Sequence, residues 1–169
     1  NLNGNPVSSN VLRRMSDALV HRGPDGAGQW IEHVIGLGHR RLSIIDLSDK
    51  GKQPMHSVSG RYVISYNGEV YNFRELKKDL EDLGYKFKST TDTEVVVAAI
   101  EKWGVDAISR FNGMFAFAVW DKKERCLVLG RDRYGIKPLY VAHQSGVLSF
   151  GSEQKAILAQ PDFKKTLDH

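Results

Sequence analysis

Apolar residues Val11, Leu12, Met15 and Leu19 recur at helical spacing behind Ser8 and Ser9, which predicts an N-capped helix near the start of the chain. The segment His21-Arg22-Gly23-Pro24-Asp25-Gly26 ends it, because Gly-Pro and Asp-Gly are turn dipeptides. From Gly28 to Ile45 the pattern is extended. Trp30, Ile31, Val34, Ile35 and Leu37 are interrupted by glycines, as in a hairpin. Asp46 to Gly60 is polar and reads as a long surface loop. Arg61 to Tyr66 alternates as a strand that runs into Asn67-Gly68. A helix follows from Asn72, with Glu75 placed for a capping box, a stripe of Phe73, Leu76, Leu80 and Leu83, and Gly84 as its stop. A second helix begins at Thr91 or Asp92, buries Val95 to Ile100 and stops near Gly104. Two such helices are expected to lie together on a sheet.

Met114 to Trp120, Cys126 to Gly130, Leu139 to Ala142 and Val147 to Phe150 are short β-type runs separated by turn residues, which predicts a meander. Strands, two helices and then more strands imply an α+β fold with segregated layers rather than strict βαβ alternation. Ser152-Glu153 opens a short last helix, and Pro161 to His169 reads as a tail or the start of a linker.

Composition narrows the function classes. At 169 residues, 41% hydrophobic and 26% charged, the chain has the make-up of one globular domain with a core of its own. The excess of 24 Lys+Arg over 20 Asp+Glu is mild and dispersed, with Lys77, Lys78 and Lys86 interleaved among Asp79, Glu81 and Asp82. No basic stripe with stacking aromatics is present, so no nucleic-acid partner is expected. The single Cys126 excludes an internal disulfide framework and fits a reducing compartment. It sits among Leu127, Val128 and Leu129, where a core role is expected. No apolar stretch spans a bilayer and no leader opens the chain, so no membrane partner and a cytoplasmic location are expected. His21 and His39 lack metal-ligand spacing, and no metal is assigned.

Two strings carry candidate chemistry. Tyr66-Asn67-Gly68-Glu69-Val70-Tyr71-Asn72 sets an amide side chain beside a glycine N–H, the parts of an oxyanion hole. Asn-Gly is also the strongest two-residue hairpin signal, and both meanings stay open. His39-Arg40-Arg41-Leu42-Ser43-Ile44-Ile45-Asp46 puts a guanidinium at the end of a β-type run, where it can clamp a carboxylate or serve as a surface charge. Asp92 is a candidate anion or a helix N-cap. Together the strings point to acyl transfer on a small amino-acid amide.

In one order the chain also carries His21-Arg22-Gly23-Pro24-Asp25, Arg41-Leu42-Ser43-Ile44, Gln53-Pro54-Met55, Tyr66-Asn67-Gly68-Glu69, Phe111-Asn112-Gly113-Met114-Phe115-Ala116, Gly130-Arg131-Asp132-Arg133-Tyr134-Gly135-Ile136-Lys137-Pro138-Leu139-Tyr140 and Ser152-Glu153. That series closely resembles the class II (N-terminal-nucleophile) glutamine amidotransferase domain of glutamine-hydrolysing asparagine synthetases. The resemblance implies a four-layer αββα sandwich of two antiparallel sheets, with the first strand missing. Residues 1–160 would form the glutaminase domain without its Cys-led N-terminal segment, and 161–169 a tail or the start of a linker to an absent synthetase domain.

The resemblance also implies roles. A cysteine preceding Asn1 would be the nucleophile, activated by its own α-amine. Asn67 and Gly68 would form the oxyanion hole. Arg41 would bind the glutamine α-carboxylate, Glu69 and Asp92 would receive its amino group, and backbone atoms of Leu42 and Ile44 would line the pocket. Arg131 and Asp132 would be scaffold. No cofactor is implied for this domain, whereas ATP and magnesium belong to the absent synthetase domain, which would amidate aspartate with the released ammonia. The partners implied are glutamine, that synthetase domain and, as an assembly, a homodimer. The 169 residues alone are expected to be inactive. Two alternatives stand beside this: a catalytically dead amidotransferase-like binding or interface module, and an amidotransferase with a non-aspartate acceptor.

Overall fold

Alternating apolar runs become strands only where a second run lies within hydrogen-bonding reach, and long-range pairing sets their ends. The computed structural model describes residues 1–42 and 51–165. The chain divides into two compact units, Asn1–Leu42 with Pro138–His169, and Ser43–Lys137.

In the first unit, helix α1 (Ser9–Asp17) lies on the antiparallel hairpin of β1 (Gly26–Glu32) and β2 (Ile35–Arg41). Its buried Leu12 and Ser16 meet β2 at glycines. A Cβ on Gly38 would sit 2.5 Å from Ser16 Oγ, so a side chain there would force Ser16 to shift. Arg40 Nε donates to Ser16 O at 3.2 Å, and its guanidinium pairs with Asp17. A second hairpin, β7 (Tyr140–Gln144) with β8 (Val147–Gly151), leads into α4 (Gln154–Leu158), whose Ala156 and Ile157 are buried. The segment expected to be a tail is tied down as far as the description reaches: Lys164 N donates to Gln144 Oε1 at 2.7 Å and Gln144 Nε2 to Lys164 O at 3.1 Å.

The second unit is an antiparallel sheet in the order β3 (Met55–His56), β4 (Tyr62–Val70), β5 (Gly113–Asp121), β6 (Cys126–Arg131). Helices α2 (Phe73–Asp82) and α3 (Asp92–Trp103) pack together against it, as their apolar faces require. Val95 to Ile100 is buried without a break and forms one core with Ile64, Tyr66, Val70, Phe115, Phe117 and Val119. The α+β class stands.

Four local expectations are corrected. β4 does not end at Tyr66 but pairs with β5 through to Val70 opposite Gly113. The four late β-runs do not form one meander; β5–β6 and β7–β8 are separate ladders among the described residues. Asn72 does not cap α2 through its side chain, which instead donates to Arg110 O and accepts from Asn112 N, both at 3.0 Å. Cys126 is exposed, because it is the first residue of β6, opposite Asp121 at the rim of the sheet.

Candidate functional site

Hydrogen-bond parity along β4 determines which groups its edge presents. Tyr71 N donates to Asn112 O at 2.7 Å and Lys122 N to Arg61 O at 3.0 Å, so odd-numbered residues of this strand bond toward β5. Even-numbered residues turn to the other edge. There Ser57 N donates to Tyr62 O at 2.9 Å and Tyr66 N to Gln53 Oε1 at 2.6 Å. β3 covers β4 only at Val63 and Ile64, and Gly68 N–H points to the same edge, beyond Gln53.

Asp92 closes the far end of that edge. It is the first residue of α3 and only 6% exposed, and its Oδ2 accepts from Tyr66 OH at 2.7 Å and from Val70 N at 3.0 Å. A helix N-terminus favours a carboxylate there. The cap itself is Thr91, whose side chain accepts from Glu94 N, so Asp92 is not the N-cap. Burial first, then the charge and hydrogen bond of Asp92, push the Tyr66 phenol up from its ordinary value and keep it a donor. Gln53 reaches from β4 toward α3, its Nε2 lying 3.4 Å from Thr93 Oγ1. Along one edge, then, Tyr66 N–H is taken by Gln53, Val70 N–H by Asp92, and Gly68 N–H lies between them.

Strand alternation sends the half-buried Asn67 and Glu69 side chains to the face opposite the helices, with Gly68 between them. Asn67-Gly68 is therefore not a hairpin turn; neither residue has a positive φ and both sit in the β4–β5 ladder. Gly68 must lack a side chain because β5 approaches closely: an added Cβ would lie 2.4 Å from Met114 O and 2.7 Å from Phe115 Cα. The arrangement is chemically specific. A backbone donor and a neighbouring side-chain amide suit a developing oxyanion, and a buried carboxylate on the same strand edge suits a cation.

The other candidates lie elsewhere in the chain. Arg41 is half-buried at the end of β2, its carbonyl accepting from Asp25 N at 3.0 Å, and Leu42 beside it is exposed. Burial, and secondly the Arg41 charge, hold His39 down to about 4. Arg41 and Leu42 belong to the first unit, whereas Asn67, Gly68, Glu69 and Asp92 belong to the second. Ile44 lies outside the described residues.

Asp132 is a loop organiser: its carboxylate accepts from the N–H groups of Phe115, Tyr134, Ile136 and Lys137, and Arg131 donates to the carbonyls of Gly135 and Lys137. Nothing local in the sequence marks Tyr66 and Gln53 as parts of the site, because the contacts of Tyr66 with Gln53 and Asp92 join residues distant in the chain. The same holds for a charged cluster in the first unit. There Glu153 meets His21 at 2.9 Å and Arg22 and Lys155 at 3.1 Å, beside an open cleft of about 450 Å³. His21, Lys155 and Arg22 hold the Glu153 carboxyl down to about 2. Among the described residues no group of three or more His, Cys, Asp or Glu is placed to hold a metal ion, and no helix is long and apolar enough to cross a membrane.

Residues 2–169 match the family described as "Glutamine amidotransferase domain". Asparagine synthetase [glutamine-hydrolyzing] 3 of Bacillus subtilis is 45% identical, covering 94% of this chain and 26% of that protein. Amidase chry2 of Gibberella zeae is 43% identical over 88% of this chain and 22% of its own length. The chain thus spans about a quarter of the length of these relatives. Among solved structures, the glutamine phosphoribosylpyrophosphate amidotransferase of B. subtilis shares the fold, with a TM-score of 0.78 at 20% identity over 92% of this chain and 42% of that one.

Proposed function

The chain belongs to the glutamine amidotransferase domain family, and from that premise we propose that it is the glutaminase part of an enzyme that hydrolyses glutamine and passes the ammonia to a separate ATP- and magnesium-dependent domain that amidates aspartate. One observation carries this: the β4 edge sets Gly68 N–H between Tyr66 and Val70, next to the Asn67 amide and the buried Asp92 carboxylate. Glutamine needs such a set, because its reacting carbonyl calls for hydrogen-bond donors and its α-ammonium for an anion.

In this proposal the nucleophile is a cysteine preceding Asn1 in the full-length protein, with its α-amine as general base. The thiolate attacks the side-chain amide carbon, and the oxygen gains charge toward the Asn67 amide and Gly68 N–H. The C–N bond breaks, the leaving nitrogen takes a proton and departs as ammonia, and a thioester remains. Water then cleaves the thioester to glutamate and restores the thiol. In this proposal the α-carboxylate is assigned to Arg41 and the α-ammonium to Asp92 and Glu69. Cys126 takes no part, since it lies at the exposed start of β6 and has no α-amine beside it. The single cysteine favours a cytoplasmic setting.

The test is glutamate release from glutamine by the full-length protein. Asn67→Ala is expected to cut turnover about 10²–10³-fold with KM changed little, the cost of removing one oxyanion donor. Normal turnover in that variant overturns the assignment. The 43% identity to Amidase chry2 favours a second reading in which the acceptor is not aspartate. Label transfer from amide-labelled glutamine to aspartate decides between them: labelled asparagine supports the first, and labelled ammonia that never reaches aspartate supports the second.

A further inference from the structure

Asp92 can act on a ligand only if its carboxylate is held in one orientation. Two donors hold it, and both fall on the same oxygen: Tyr66 OH at 2.7 Å and Val70 N at 3.0 Å from Oδ2. Among the described residues Oδ1 takes neither contact, which leaves that oxygen for a ligand. The Val70 donor is fixed by the sheet, because Val70 pairs with Gly113 and is fully buried. The Tyr66 donor is fixed as well. Its side chain is 3% exposed within the α3-facing core, and its own N–H is anchored by Gln53 Oε1 at 2.6 Å.

Without the phenol, a carboxylate at the first position of a helix has an alternative. It can rotate so that both oxygens share the backbone N–H groups of the first turn, which leaves less negative charge toward the strand edge. Tyr66 also stands immediately before Asn67, so one strand fixes the residue that orients the anion and the residue that supplies the amide donor.

We propose that Tyr66 is a positioning residue for glutamine selectivity: its hydroxyl locks Asp92 Oδ2, so that Oδ1 faces the α-ammonium of the bound amino acid. This rests on the assignment of Asp92 to the glutamine α-ammonium made above. Tyr66 touches neither substrate nor reacting atoms in this account and acts through Asp92. The raised pKa of its phenol agrees with a permanent donor rather than a proton shuttle.

The consequence is a selectivity effect, not a general loss. Glutaramate, which keeps the amide and carboxylate of glutamine but has no α-amine, cannot use Asp92. In the full-length protein, kcat/KM for glutamine is measured against kcat/KM for glutaramate in wild type, Tyr66→Phe, Asp92→Asn and the double variant. Tyr66→Phe keeps the ring that fills the core and removes the hydroxyl, and a thermal melt confirms that the variant is folded. It is expected to raise KM for glutamine about three- to tenfold, the range of one hydrogen bond, with kcat changed less, and to lower the glutamine-to-glutaramate ratio by the same factor. In the Asp92→Asn background the same substitution should leave the ratio unaltered.

A merely structural Tyr66 would depress both substrates equally in Tyr66→Phe, and an unchanged ratio overturns the proposal. Should Asp92→Asn itself leave the ratio unchanged, the assignment of Asp92 to the ammonium falls instead. A ratio that drops in Asp92→Asn but not in Tyr66→Phe therefore refutes the positioning role alone.

Discussion

Gly68→Ala separates the packing role of this glycine from its chemical role. An added Cβ would sit 2.4 Å from Met114 O, 2.7 Å from Phe115 Cα and 2.8 Å from Phe115 Cβ. Two of the three are backbone atoms of β5, so no side-chain rotation relieves the clash. Ordinary contact begins at 3.4 Å, and β4 must part from β5 by about 1 Å at this point. Overpacking of this kind costs about 1–3 kcal/mol and lowers the melting temperature accordingly. The same displacement moves Gly68 N–H relative to Asn67 and Asp92. A 1 Å error in a catalytic donor costs about 10²-fold in rate.

The two roles then predict different outcomes for the folded molecules. If Gly68 is only a spacer between strands, the folded fraction keeps its turnover and only the melt shifts. If its N–H serves the oxyanion, glutamine turnover per folded molecule falls about 10²-fold, whereas product formation from added ammonia, which bypasses this chemistry, persists. Thermal melting, glutamate release and ammonia-dependent product formation on one preparation of the full-length protein give all three quantities. A variant whose melt drops while glutamine turnover stays within about threefold of wild type refutes the oxyanion role of Gly68.

Further predictions concern the other named groups. Arg41→Ala in the full-length protein should raise KM for glutamine about 10–100-fold, the loss of one charge-assisted contact, and leave ammonia-dependent synthesis intact; equal loss of both activities would indicate misfolding instead. Asp121 is held down to about 2, chiefly by Arg61, whose Nε and Nη2 lie 2.9 and 2.6 Å from its two oxygens. Because this pKa is depressed on folding, its contribution is present above about pH 4 and is lost as pH falls toward about 2. Discounted for the solvent that reaches Arg61, it amounts to about 1 kcal/mol. Asp121→Asn should therefore lower the melting temperature by roughly 2–4 °C at pH 7, and the gap to wild type should close by about pH 2. A gap that persists unchanged at pH 2 would remove the ion pair as its cause.

Much of this was legible in the chain because it is local. The stripe of Leu76 and Leu80 gave α2, the run Val95 to Ile100 gave the buried core of α3, and the alternation from Tyr62 gave β4. What escaped depends on partners far away in sequence. β4 continues through Asn67-Gly68 to Val70 because Gly113 to Ala116 lies alongside it, and pairing overrides the turn preference of Asn-Gly. Cys126 reads as core from Leu127, Val128 and Leu129, yet burial at the rim of a sheet depends on what lies beyond the strand end. The bond from Tyr66 to Asp92 spans 26 positions, and neither residue signals the other. The candidate acid was visible; what holds it was not.

The placement of Asn67-Gly68 within a strand, rather than in a turn, bears directly on how two donors can serve one oxygen. A turn would offer neighbouring groups in a flexible segment and would have to be ordered at the moment of reaction. In β4 the two donors leave the strand in different directions, Asn67 through its side chain off the sheet face and Gly68 through its N–H along the sheet edge. Three features keep that edge open in this fold. β3 is only two residues long, Gln53 takes the N–H before Gly68, and Asp92 takes the one after it. In the β3–β4 register Gly51 falls opposite Gly68, so β3 would have to extend by four residues, to Gly51, before its backbone could pair with the Gly68 donor. Ile64, Tyr66 and Val70 anchor the opposite face of β4 against α3, so the sheet fixes the direction of the Gly68 N–H before any ligand arrives.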